Sequence, residues 1–153
     1  MTRIVLASRN KGKIREIGHL LEEMPVELLS LDAFERMPDV TEDGLTFLEN
    51  ALKKAKQVSE YTGEIALADD SGLEVDFLNG KPGVHSARYS GEHATDADNN
   101  RKLLAELAGV PPEKRGAGFV CVLALYYPDG RYESFQGRWR GIIHDAPLGT
   151  GGF

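Results

Sequence analysis

Hydrophobic residues in this chain recur with two different periods, and the alternation between them outlines the elements. Arg3-Ile4-Val5-Leu6-Ala7 is a short apolar run that reads as a strand, and Ser8 to Lys13 is a polar turn containing Gly12. Ile14, Ile17, Leu21 and Met24 then recur at helical spacing until Pro25 stops the pattern. Val26 to Leu31 reads as a second strand. Thr46 with Glu49 three residues on is a capping-box signature for a helix from Phe47 to about Tyr61, which Gly63 ends. Its inward face would carry Phe47 or Leu48, Ala51 or Leu52, Ala55 and Val58.

Ile65-Ala66-Leu67-Ala68 is too short for a helix and apolar throughout, as expected of a strand buried on both faces. Asp69-Asp70-Ser71-Gly72 reads as a turn after it, Leu73 to Asp76 as an outgoing strand, and Asn79 to Gly83 as an irregular loop. Thr95 with Asp98 opens another helix, with Leu103, Leu104 and Leu107 on its face and Gly109 and Pro111 at its end. Phe119–Tyr127 and Arg131–Gln136 flank Pro128-Asp129-Gly130, which predicts a hairpin. A length of 153 residues fits one domain, or two small lobes around a cleft.

Composition narrows the function classes. With 18 basic against 24 acidic residues the net charge is −6, which argues against a nucleic-acid-binding surface, and aromatic residues are not interleaved with the basic ones. The single cysteine, Cys121, excludes an intramolecular disulfide; inside the apolar run 119–127 it is expected to be a small buried hydrophobe. That run is far too short to span a bilayer, and no signal peptide is evident, so the reading is a cytoplasmic protein without a membrane partner. The chain stops in a glycine-rich stretch, Gly149 to Phe153, which reads as a truncated product.

Three clusters carry candidate chemistry. Arg3, Arg9, Lys11, Lys13 and Arg15 all precede the first acid, Glu16. With Ser8 and Asn10 as side-chain donors, Gly12 for close backbone approach and a helix N-terminus behind them, they form a candidate phosphate cradle without the Walker signature. Asp69 and Asp70 follow an apolar strand, where open α/β sheets bind ligands. Strand alternation places Asp70 on the face of Ala66 and Ala68, where small side chains would leave room for a ligand, while Asp69 is expected to satisfy turn amides. Glu42, Asp43 and Glu49, followed by Lys53, Lys54 and Lys56, add the hard oxygens and point charges that a magnesium-bound polyphosphate requires. The four histidines have no ligand spacing, and Trp139 and the tyrosines are expected to pack.

Five motifs occur in order: Ser8-Arg9-Asn10-Lys11-Gly12-Lys13, Gly44-Leu45-Thr46-Phe47-Leu48-Glu49-Asn50-Ala51, Ala68-Asp69-Asp70-Ser71-Gly72-Leu73, Ser86-Ala87-Arg88-Tyr89-Ser90-Gly91 and Gly149-Thr150-Gly151-Gly152-Phe153. Together they resemble the inosine triphosphate pyrophosphatases, house-cleaning enzymes for aberrant purine nucleotides, over essentially the whole chain. The resemblance implies an α/β fold with a mixed central sheet, helices and two lobes around a nucleotide-binding cleft, in a homodimer. It also implies magnesium-dependent hydrolysis of ITP, dITP and XTP to the monophosphate and pyrophosphate. Carried over, Ser8, Arg9, Asn10, Lys11, Gly12 and Lys13 would hold the triphosphate, with Lys54 adding charge. Glu42 would help bind the metal, Asp70 would be the general base and a metal neighbour, Ser71 would touch substrate, and Phe153 would begin the segment meeting the base. The family continues beyond that point with a Gly-Tyr-Asp stretch, a lysine and a Ser-His-Arg motif. On this reading residues 1–153 are a single pyrophosphatase domain lacking its C-terminal segment; the alternative is an inactive nucleotide-binding or dimerisation fragment.

Overall fold

The polar turn after the first strand and the caps flanking each helix set the element order. A computed structural model describes residues 1–149. It contains β1 (Thr2–Leu6), α1 (Lys11–Leu20), β2 (Val26–Ser30), α2 (Phe47–Thr62), β3 (Ile65–Val75), α3 (Asp96–Glu106), β4 (Gly116–Tyr126) and β5 (Tyr132–Ile142). The strands form one sheet in the order β2-β1-β3-β4-β5. β1 runs parallel to both β2 and β3. Residues 127–131 join β4 to β5 as a hairpin, closed by Tyr127 N donating to Arg131 O at 2.9 Å, so the sheet is mixed, as the resemblance implied. No helix among the described residues is long and apolar enough to cross a membrane.

Caps match the sequence signals closely. The Thr46 hydroxyl accepts from Glu49 N, while the Glu49 carboxylate reaches back to Leu45 N at 2.7 Å, one residue short of a reciprocal capping box. Gly63 closes α2 in the left-handed region at φ 74°, where a side chain would be strained. At α3, Thr95 and Asp98 form the complete capping box.

Two compact units divide the described residues: 1–70 with 122–136, and 71–121 with 137–149. In the first unit Val5, Leu6, Ala51, Ala55, Val58, Ala66, Ala68 and Val122 are buried. In the second, Leu73, Val75, Leu103, Leu107 and Ala117 form the core. There the buried Arg115 side chain donates to the carbonyls of Leu107 and Val110, at 2.7 and 2.9 Å, satisfying acceptors just past α3 that would otherwise be lost on burial.

Several sequence expectations are corrected. Asp69-Asp70-Ser71-Gly72 is not a turn: β3 continues through it, and residues 65–75 are one strand. Ala66 and Ala68 are completely buried, so their small side chains leave no open space for a ligand; the equally buried Ala51 and Ala55 are the small residues that close helix packing requires. Cys121 is exposed. Val120, Val122 and Ala124 take the inward positions of β4, which turns Cys121 and Phe119 outward. Trp139 does not pack either; it is 82% exposed on β5, whose residues are all exposed. α1 ends at Leu20 rather than running on to Pro25, and Met24 is exposed.

Candidate active site

β1 ends at Leu6, where Ala7 N still donates to Leu67 O at 2.8 Å, while β3 runs on. Asp69 and Asp70 therefore lie past the carboxyl end of their parallel neighbour, the position at which such sheets bind ligands. The chain moves from β1 outward to β2 and then back across to β3, and right-handed crossovers in opposite directions put α1 and α2 on opposite faces of the sheet. Alternation along β3 then sends the two carboxylates to different helices. Asp69 Oδ2 lies 2.6 Å from Lys13 Nζ of α1, and Asp70 Oδ2 accepts from Asn50 Nδ2 of α2 at 3.1 Å.

The turn after β1 is built on Asn10. Its Oδ1 accepts from the amides of Gly12 and Lys13 at 3.0 and 3.1 Å, capping α1, and Ser8 Oγ accepts from Asn10 N at 3.1 Å. A Cβ at Gly12 would stand 3.3 Å from that Oδ1, so glycine lets the cap sit close. Ser8, Arg9, Asn10, Lys13, Glu42 and Lys54 line one cavity of about 360 Å³, with Leu31, Val40 and Val58 as apolar wall. Six of the sequence-derived candidates thus converge on a single space. Lys11, exposed, and Gly12 belong to the same turn but do not line it.

In space the basic opening is not free of acids, as it is in sequence. Arg9 Nε is 3.5 Å from Asp39, and Lys54 Nζ is 2.5 Å from Glu42 Oε1 while also donating to the Asp69 carbonyl at 2.9 Å. Of the three lysines grouped on α2, only Lys54 turns to this site; Lys53 pairs with Asp43, and Lys56 lies 4.0 Å from Glu60. Asp69, read from the sequence as a residue that could satisfy turn amides, holds the Lys13 ammonium.

Asp70 is 8% exposed and does not itself line the cavity. Burial pushes its carboxyl above its ordinary value, the Asn50 hydrogen bond pulls it down, Glu42 raises it, and the charges of Lys54 and Lys13 lower it. It therefore feels three of the charged groups that line the cavity, Lys13, Glu42 and Lys54. Asn50 is the residue the sequence reading missed. It is 1% exposed, its Oδ1 accepts from Gly44 N at 2.7 Å, and a Cβ at Gly44 would stand only 2.7 Å from that oxygen. The signal was present: an amide on the inward face of α2, one turn before Lys54.

Of the remaining candidates, Ser71 follows in β3 and begins the second unit, and Phe153 lies outside the described residues. Among the described residues no three His, Cys, Asp or Glu side chains gather as a metal site. Glu42 and Asp70 are two carboxylates whose charges oppose each other, a pairing that suits a divalent cation completing its shell with phosphate oxygens and water.

The model of the Ham1 family matches residues 4–153. The dITP/XTP pyrophosphatase of Geobacter sulfurreducens is 59% identical over all of this chain and 77% of its own length. That of Streptomyces coelicolor is 50% identical over all of this chain and 78% of its own. Among solved structures, a HAM1 protein from Coxiella burnetii superposes with a TM-score of 0.92 at 41% identity, covering all of this chain and 78% of that one. A nucleoside-triphosphatase / dITP/XTP pyrophosphatase from Mycobacterium abscessus gives 0.86 at 47% identity, covering 99% and 80%.

Proposed function

Because this chain belongs to the Ham1 family, we propose that it hydrolyses aberrant purine nucleoside triphosphates, ITP, dITP and XTP, to the monophosphate and pyrophosphate. The observation that carries the reading is the convergence of Ser8, Arg9, Asn10, Lys13, Glu42 and Lys54 on one cavity, with Asp70 under the influence of the charges of Lys13, Glu42 and Lys54. Lys13 and Lys54 are already held in position by Asp69 and Glu42, so the charge that would meet a triphosphate is preorganised and is not searching for a partner. Asn10 fixes the turn from which Ser8, Arg9, Lys11 and Gly12 would contact phosphate oxygens.

Asp70 is assigned as general base. Its neighbour Asp69 is committed to a cation, whereas Asp70 accepts from a neutral amide and is raised by burial toward the range in which it can take a proton. Water attacks a phosphorus of the α–β anhydride, its proton passes to Asp70, and the bridging bond breaks to release pyrophosphate. Glu42 and Asp70 are the residues that would hold magnesium, whose charge when bound offsets that of the phosphate oxygens. Ser71 and Phe153 are assigned further substrate contacts, and the chain a cytoplasmic homodimer, on the family resemblance alone. Release of pyrophosphate from ITP with magnesium tests the reading: turnover that disappears in Asp70→Asn supports it, and a folded wild-type chain with no turnover overturns it.

A further inference from the structure

The motif Ser86 to Gly91 takes no part in the site described above, yet it frames a second, basic pocket within the second unit. Lys81, Pro82, His85, Arg88, Tyr89 and Lys102 line a space of about 350 Å³ and share no residue with the first cavity. No carboxylate belongs to that lining, in a chain whose net charge is −6. That volume is within the range of small-molecule sites.

Two buried polar side chains hold the frame. Ser86 Oγ accepts from Leu73 N at 2.9 Å and donates to Gly83 O at 2.6 Å. Asn99 of α3 accepts from Ser90 N at 2.9 Å and donates to Ala87 O at 3.1 Å. Both residues are 8% exposed, so the segment carrying His85, Arg88 and Tyr89 is fixed in its middle and at its end. One turn beyond Asn99, the half-buried Lys102 donates to Tyr89 O at 2.8 Å and stands 4.2 Å over the Tyr89 ring. Arg88 Nη2 is 3.2 Å from His85 Nδ1; a guanidinium can only donate, so Nδ1 accepts and the imidazole keeps Nε2–H as a donor. The Tyr89 hydroxyl donates to Glu106, and burial together with that carboxylate holds the phenol neutral, adding no negative charge to the pocket.

Positive charge gathered on a pinned frame, with an arginine, two lysines and an imidazole N–H facing one space, matches a multiply charged oxyanion better than any apolar or cationic ligand. We propose that this pocket binds a small phosphate-bearing anion, with Lys81, Arg88 and Lys102 supplying the charge. The phosphate could arrive as free pyrophosphate or on a nucleoside monophosphate.

Backbone amide shifts of the whole chain, followed during separate titrations with inorganic pyrophosphate and with inosine monophosphate, test this. Saturable shifts at residues 85–90 are expected with at least one of the two, and the one that saturates there identifies the source. Arg88→Gln and Lys81→Gln should each weaken that response about tenfold. Any response at residues 8–13 should stay unchanged. Among the described residues the Lys81 side chain makes no hydrogen bond or ion pair, so its replacement tests charge without loosening the frame. No saturable shift at residues 85–90 with either probe, or saturation that both variants leave intact, overturns the proposal.

Discussion

Asp69 and Asp70 are consecutive, chemically identical and carried by one strand, yet the two faces of β3 give them opposite surroundings. On one face Asp69, 3% exposed, meets the ammonium of Lys13; on the other Asp70, 8% exposed, meets the neutral amide of Asn50. A buried carboxylate beside a cation is taken up in an ion pair, whereas Asp70, beside a neutral donor, is raised by burial toward the range in which a carboxyl exchanges a proton. On the proposed assignment, the difference between a structural and a reactive carboxylate is a one-residue step along a pleat.

The largest expected effect breaks this pair in two. Asp70→Asn preserves the Asn50 contact and should reduce ITP turnover by about 10² to 10⁴ while the circular-dichroism melt falls no lower than that of the wild type. Asp69→Asn leaves Lys13 without its counter-charge. Because that side chain is 34% exposed, the loss should be below the 3–5 kcal/mol of a fully buried pair, about 1–3 kcal/mol in urea unfolding.

Lys13→Ala should raise KM for the triphosphate about tenfold and destabilise the protein as well, since it takes the cation away from the buried Asp69 carboxylate. Combining it with Asp69→Asn should restore most of the stability and none of the KM. Recovery of both would mean that Lys13 acts only through Asp69.

Asn50→Ala removes the donor to Asp70 and the acceptor for Gly44 N, at a cost of about 1–3 kcal/mol for a buried unsatisfied group. It also removes an influence that lowers the Asp70 carboxyl, so the acid limb of kcat/KM should move to higher pH. The same linkage acts on the wild-type fold. With Asp70 raised, the folded state binds the extra proton between the ordinary carboxylate value and the raised one, so its contribution makes stability fall as pH increases through that window. In magnesium-free buffer Asp70→Asn should lack this fall. At the small end, Lys53→Ala breaks only the exposed pair with Asp43, and both turnover and the melt should stay where they are.

Local chemistry made much of this legible. The caps at Thr46 and Thr95, the glycine at 63 and the apolar periods located the helices, and the basic turn located four lining residues of one cavity, to which the acid and lysine cluster added Glu42 and Lys54. What failed was non-local. Asp-Asp-Ser-Gly is turn chemistry by composition, but β3 lies inside a five-stranded sheet and runs straight through it. Cys121 sits among apolar neighbours in sequence, Trp139 is itself a large apolar side chain, and no short-range pattern says that β5 is the last strand of its sheet. Asn50 was not legible because an amide does not count toward the apolar face that marks a helix's inward side.

The exposure of Trp139 bears on how this protein should be observed. It is the sole tryptophan, 82% exposed on a strand with no residue buried, so its indole is already largely hydrated in the native state. Intrinsic fluorescence will therefore change little when the chain unfolds and will follow denaturation poorly. A blue shift on mixing, with unchanged circular dichroism, would report that something had come to cover β5, which makes this native indole a label for contact with the edge of the sheet.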